Sequence, residues 1–279
     1  MPRAVFSVLT PLAVLALASV GSSPAGLAQA ADASPPMGGG YANVISIPVD
    51  DPNVKAIAGA LFKPAGSGPF PAVIYMMGCA GLSVPPEAAM QKVVIDHNLS
   101  KGVATLIVDP FTARHEDQGV CDKVGAGPEV FIRGAKDVRA ARDMLAAMPD
   151  IDQKHVFLQG YSYGAVSALF ATDANNPLSK DIGVAAVAAF YPYCAPEAER
   201  AVPTLVLIGD KDDWTPAKFC QANADKPNMQ VVVYPGATHG FAMPIDQPVE
   251  FAGHHIAYDE SATKDAEGRI DAFMAAHMK

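Results

Sequence analysis

The residues best placed to do chemistry in this 279-residue chain are a serine between glycines, followed later by acids and a histidine. Gly160-Tyr161-Ser162-Tyr163-Gly164 has the form G-x-S-x-G, with the apolar run Val156-Phe157-Leu158 before it and the alanine-rich stretch Ala165 to Phe170 after it. A strand-to-helix turn that sharp strains its central residue and crowds neighbouring backbone, so the flanking positions must lack side chains. The strain lifts the serine hydroxyl above a sheet, at a helix N-terminus that favours a developing anion. Serine is a poor nucleophile until a neutral imidazole takes its proton. His239, in Pro235-Gly236-Ala237-Thr238-His239-Gly240-Phe241, is the candidate base. An acid from Gly209-Asp210-Lys211-Asp212-Asp213-Trp214-Thr215-Pro216 would fix its tautomer. Singly, the serine reads as a helix cap, the histidine as a surface side chain and the acids as a solvated turn. Together, in the order Ser, Asp, His and each at the end of an apolar run, they read as a catalytic set.

The elements that must position this set alternate in type. Val44 to Val49 and Lys55 to Phe62 suit two antiparallel edge strands joined around Asp50-Asp51-Pro52-Asn53. Six short, nearly continuous apolar runs follow: Ala72–Met76, Ala104–Val108, Val156–Leu158, Val184–Phe190, Thr204–Ile208 and Gln230–Tyr234. Such runs are the mark of parallel strands buried on both faces. Between them Glu87 to Leu99 and Glu129 to Met148 show helical periodicity, and Ala266 to Met278 closes the chain in the same way. The alternation predicts an α/β fold, a mostly parallel doubly wound sheet with helices on both faces. The serine, the acids and the histidine all fall at strand C-terminal ends, where such sheets place their sites.

The rest of the composition narrows the class. Half of the residues are hydrophobic, enough for a buried core, and the net charge of −9 carries no basic block. No nucleic-acid partner is expected. Arg3, the apolar run Val8 to Ala18 and Ala28-Gln29-Ala30 have the form of a secretory signal peptide, so residues 1–30 are expected to be removed. The apolar run is broken by Pro11 and too short for a membrane span, and no later segment suggests stable insertion. Residues 31–40 read as a flexible leader and 41–279 as one domain. A periplasmic or secreted protein is the expectation. Export would let its four cysteines, Cys79, Cys121, Cys194 and Cys220, form disulfides. Their wide spacing gives no zinc motif. The neighbours His254 and His255 read as surface, so neither a metal nor an organic cofactor is expected.

Over nearly the whole mature length the chain resembles the dienelactone hydrolase family, a branch of the α/β hydrolases. The resemblance is carried by Met77-Gly78-Cys79-Ala80-Gly81, Asp109-Pro110-Phe111-Thr112-Ala113-Arg114, Gly160 to Gly164, Gly209 to Pro216 and Tyr234 to Phe241. It implies the α/β-hydrolase fold, with Ser162 as nucleophile, His239 as base and Asp212 as the acid; Asp213 is the fallback. Two departures matter. Founding members carry cysteine where this chain has Ser162, and relatives often show His-Gly where this chain has Met77-Gly78. General esterase chemistry on a small-molecule ester or lactone is therefore expected, rather than hydrolysis of dienelactone itself.

In that frame the backbone N–H groups of Tyr163 and Cys79 would form the oxyanion hole. Tyr161, Tyr163, Trp214 and Phe241 flank the set and would line an apolar pocket, although core packing would use the same residues. Arg114 could face the pocket and clamp a substrate carboxylate, with Arg133 a second possibility; a surface arginine is the equal alternative. The fold also orders the cysteines. With the strands at 72–76 and 104–108 adjacent, and those at 184–190 and 204–208 adjacent, the expected bridges are Cys79–Cys121 and Cys194–Cys220. Three functions compete: ester or lactone hydrolysis, a peptidase or acyltransferase on the same scaffold, and a periplasmic binding protein without chemistry.

Overall fold

The computed structural model describes Met1 and residues 37–278. The expected signal peptide and most of the leader lie outside the described residues. The chain opens with an antiparallel pair, β1 (Val44–Pro48) and β2 (Ala56–Phe62), and then alternates. β3 (Phe70–Met76), α1 (Pro85–Ser100), β4 (Ala104–Asp109), α2 (Glu129–Ala146), β5 (Ile151–Tyr161) and α3 (Tyr163–Ala171) come first. β6 (Ala186–Phe190), β7 (Thr204–Gly209), the short α4 (Lys218–Gln221) and β8 (Met229–Tyr234) follow. A hairpin of β9 (Val249–Phe251) and β10 (His254–Ile256) precedes the final helix α5 (Glu260–Ala276).

Eight strands form one sheet in the order β1-β2-β4-β3-β5-β6-β7-β8. β2 runs antiparallel to β4, and every later pairing in this sheet is parallel. This is the α/β architecture expected from the alternation. β4, β6 and β7 are buried along their whole length, which is why their sequences are apolar without alternation. Edge strand β8 is only half-buried, and its run is apolar all the same.

The order reverses between β3 and β5. From β3 the chain crosses outward through α1 to β4, and from β5 it crosses the other way through α3 to β6. Right-handed crossovers put those two helices on opposite faces, so the loops leaving β3 and β5 part and open a crevice. Register places Met76 beside Gly160, bringing the ends of β3 and β5 level at that point.

Two boundaries differ from the periodicity by five residues or more, and one pair of strands is new. β5 begins at Ile151, five residues before the apolar run, because the polar stretch Asp152–His155 continues the strand beyond the buried part of the sheet. α5 begins at Glu260, with the Asp259 carboxylate accepting the Ala262 N–H at 2.9 Å as its cap. The β9–β10 hairpin is absent from the sequence reading altogether; strands of three residues are too short for alternation to register.

Candidate active site

The sharp turn at Ser162 is dictated by its neighbours. A Cβ on Gly160 would fall 2.6 Å from the Gly164 carbonyl oxygen, and one on Gly164 would fall 2.1 Å from that of Met76. With both positions bare, β5 passes into α3 through Ser162 at φ 48° and ψ −114°. That backbone region costs about 1–3 kcal/mol for a residue with a side chain, and such strain concentrates at functional sites. The hydroxyl makes no capping bond to the helix. It lies instead 2.9 Å from His239 Nε2.

The remaining contacts fix the imidazole. His239 Nδ1 is 2.9 Å from Asp212 Oδ2. Asp212 is buried, and its other oxygen accepts the Trp214 and Thr215 N–H groups at 3.0 and 2.7 Å. Thr215 Oγ1 lies 2.9 Å from Asp212 Oδ2 and 3.1 Å from the Tyr191 carbonyl oxygen. A carboxylate so placed holds the proton on Nδ1, leaving Nε2 free to accept one from Ser162. Asp213 instead is half-exposed and lies 3.3 Å from His254 Nδ1.

Two backbone N–H groups lie close to Ser162, on residues that each border one of its clefts. Tyr163 opens α3 directly after the serine, and Cys79 lies in the loop leaving β3. Among the described residues neither N–H donates a hydrogen bond. The Cys79 loop is held twice, by the Val120 N–H on the Cys79 carbonyl at 2.7 Å and by a disulfide from Cys79 to Cys121. A second disulfide joins Cys194 to Cys220.

Ser162 stands where two clefts meet, with Trp214 bordering both. One, of about 340 Å³, also holds His239 and Cys79 and is walled by Met243, Ile245 and the hairpin residues Val249, Phe251 and Ile256. The other, of about 390 Å³, runs over Phe131, Val166 and Phe170 towards the start of α2.

The sequence model of the dienelactone hydrolase family matches residues 57–278. The chain belongs to the dienelactone hydrolase family. Among solved structures, a dienelactone hydrolase-like promiscuous phosphotriesterase from metagenomic libraries has a TM-score of 0.65 at 20% identity, covering 84% of this chain and 98% of that one. A dienelactone hydrolase from Anabaena variabilis gives 0.59 at 23%, covering 83% and 96%. Esterase 2 of Thermogutta terrifontis gives 0.59 at 18%, covering 87% and 94%. At such identities these likenesses speak for the fold. No curated protein matches the chain.

Within this member of the family the expected pocket residues separate. Tyr161 borders the hairpin-side cleft, stacked on Phe190 at 4.5 Å. The Tyr163 ring borders the other cleft and rests between Phe111 and Phe131. Phe241 lines neither cleft. Its ring is fully buried against Phe190, Tyr191 and Tyr234, so the core reading is the right one.

Arg114 also departs from expectation. It neither faces a cleft at Ser162 nor lies on the surface. Its side chain is 5% exposed and bonded at 2.8 Å to Asp51 and through two nitrogens to Asp137, with the Pro110 carbonyl as a further acceptor. Burial opposes its charge, but the two carboxylates more than offset that and raise its pKa. A guanidinium so occupied anchors the β1–β2 turn to α2, and it borders neither cleft at Ser162. Arg133 gives its two terminal nitrogens to Glu116. His254, expected on the surface, is stacked on Trp214 at 4.4 Å because the hairpin folds back over the site; His255 does face outward, beside Glu250.

One acid at the cleft has no counterpart in the sequence reading. Glu87, in the first turn of α1, is fully buried, with Oε1 accepting the Tyr75 hydroxyl at 2.9 Å. Burial pushes its carboxyl up to about 7, against the lowering effect of Tyr75, Gln91 and the Gly78 N–H. A group protonated more readily when folded contributes stability below its unfolded pKa and loses it as pH rises through the folded one. Glu87→Gln is therefore expected to gain on the wild type between pH 5 and pH 8, by at most about 3 kcal/mol for a shift of this size. Urea melts at the two pH values check this, and an unchanged difference would contradict it. Asp137, also raised by burial to about 6, is present in both proteins and cancels from the comparison.

Proposed function

We propose that this chain is an exported serine hydrolase that cleaves carboxylic ester or lactone bonds through Ser162, His239 and Asp212. Family membership makes it a carboxylester-type hydrolase. The observation that carries the finer reading is the relay of two 2.9 Å contacts, Ser162 Oγ to His239 Nε2 and His239 Nδ1 to Asp212 Oδ2, at the meeting of two clefts.

His239 Nε2 takes the Ser162 proton as Oγ bonds to the substrate carbonyl carbon. The carbonyl oxygen becomes an oxyanion, received by the Cys79 and Tyr163 N–H groups. His239 passes the proton to the leaving alkoxide, the alcohol departs and an acyl-enzyme remains. Water then attacks with His239 as base, releasing the acid and restoring the serine. Asp212 stays ionised and stabilises the imidazolium in both halves. The two clefts give separate seats for acyl and alcohol parts.

Export rests on the residue pattern at 1–30, with 41–279 as the mature domain, and two disulfides accord with an oxidising compartment. The substrate is a small ester or lactone, and no nucleic acid takes part. The esterase of Thermogutta terrifontis has been captured phosphorylated by paraoxon. The same reagent should modify this protein once per chain and stop hydrolysis of short acyl, aryl and lactone esters in step. Hydrolysis that survives full modification would overturn the proposed mechanism. A protein that neither hydrolyses nor reacts would support a binding protein instead.

A further inference from the structure

Buried polar side-chain atoms without a hydrogen-bond partner are costly, at about 1–3 kcal/mol each, and need a reason. Among the described residues there are four: Glu87 Oε2, Arg133 Nε, Tyr191 Oη and Asn223 Oδ1. Two of the four, Glu87 and Tyr191, belong to residues bordering the hairpin-side cleft that holds Ser162. Apart from them that wall is largely apolar, from Val84 through Met243 and Ile245 to Phe251.

The two groups form one cluster. Tyr75 donates to Glu87 at 2.9 Å, and its ring is 5.1 Å from that of Tyr161, which in turn lies 6.1 Å from Tyr191. Tyr191 reaches the reacting centre as well, with its ring 4.8 Å from that of His239. It also sits at φ 40°, just past the end of β6, one of six non-glycine residues with a positive φ among those described. Backbone strain and an unpaired hydroxyl on one residue beside the base are costs of the kind that gathers at functional sites.

We infer that Glu87 and Tyr191 are specificity-determining residues that receive a hydroxyl group of the substrate in the hairpin-side cleft. The inference rests on the hydrolase reading above. Chemistry selects the hydroxyl. A phenol can donate or accept, and a carboxyl accepts when ionised and donates when protonated. A hydroxyl serves both partners in either state of Glu87, whereas an ammonium can only donate and a carbonyl can only accept. The cleft's apolar walls would hold the carbon skeleton around it.

Two matched ester pairs test this on the purified wild-type protein. Methyl 3-hydroxybutyrate against methyl butyrate places the hydroxyl on the acyl side, and 2-hydroxyethyl butyrate against propyl butyrate places it on the alcohol side. In one pair kcat/KM should favour the hydroxylated ester by roughly tenfold or more, since a site with buried polar groups rejects the analogue that leaves them unpaired. Tyr191→Phe and Glu87→Gln should each bring that ratio towards one, by slowing the hydroxylated ester more than its partner. If Glu87→Gln fails to fold, Tyr191→Phe carries the test alone, and it should melt no lower than wild type because it deletes an unpaired hydroxyl. Equal rates within both wild-type pairs, or a preference that survives both substitutions, would overturn the assignment while leaving the hydrolase intact. Preference for methyl 3-aminobutyrate over the hydroxy ester would overturn it in favour of a cation site. If no ester is cleaved at all, the hydrolase reading has failed and this inference falls with it.

Discussion

Ser162→Ala is expected to abolish labelling by an active-site phosphonate and to lower kcat for ester hydrolysis by a factor on the order of 10⁴–10⁶, the scale seen when a triad nucleophile is removed. The chain should still fold. Alanine keeps a Cβ at a position whose backbone is set by Gly160 and Gly164, and the lost hydroxyl makes no capping bond to α3. A circular dichroism melt beside the activity assay separates loss of chemistry from loss of structure. Hydrolysis at the wild-type rate in a folded Ser162→Ala protein would remove the serine from the mechanism. His239→Ala should be nearly as damaging, and the double variant no worse than the single ones, because members of such a unit are not additive.

The neighbouring acids give the second large effect. Asp212→Asn should cost about 10⁴ in kcat, because an asparagine amide can donate to Nδ1, and the tautomer this selects has no free lone pair at Nε2 for the serine proton. Asp212 is buried with its oxygens engaged by Trp214, Thr215 and His239, so no other group can take its place. Asp213→Asn should leave kcat within a few-fold, since that carboxylate is half-exposed and its polar contacts among the described residues are with the hairpin, at His254 Nδ1 and the His255 N–H. Reversed effects would shift the acid by one residue. Steady-state kinetics on a single short-chain ester are enough to decide.

What the sequence made legible was whatever rests on local pattern. Ser162 could be picked out because its turn needs bare neighbours at 160 and 164, and the central strands because burial on both faces removes their polar residues. Long-range polar contacts were not legible. Arg114 looks like a loop arginine until Asp51 and Asp137, far from it in the chain, are brought onto its guanidinium. Glu87 looks like an acid placed at a helix start to meet the dipole; that the Tyr75 hydroxyl bonds to it, and that Tyr191 borders the same cleft, depends on β3 and β6 lying on either side of β5. Phe241 flanks the histidine in sequence, yet its ring turns into the core while the hairpin that follows supplies the wall.

That wall has a consequence for how such a protein can change. The hairpin adds no strand to the main sheet. It is fastened at a few points: the bridge between His239 and Ile256, the Ala257 N–H on Thr238 Oγ1, the stack of His254 on Trp214, and the contacts of Asp213 with His254 and the His255 N–H. The stretch from Met243 to Ile256 can therefore lengthen, shorten or be exchanged without moving the strand ends that carry the serine, the acid and the histidine. Part of the diet is thus inherited on a piece of chain apart from the chemistry, and a grafted hairpin that kept its anchors would carry a new appetite onto an unchanged engine.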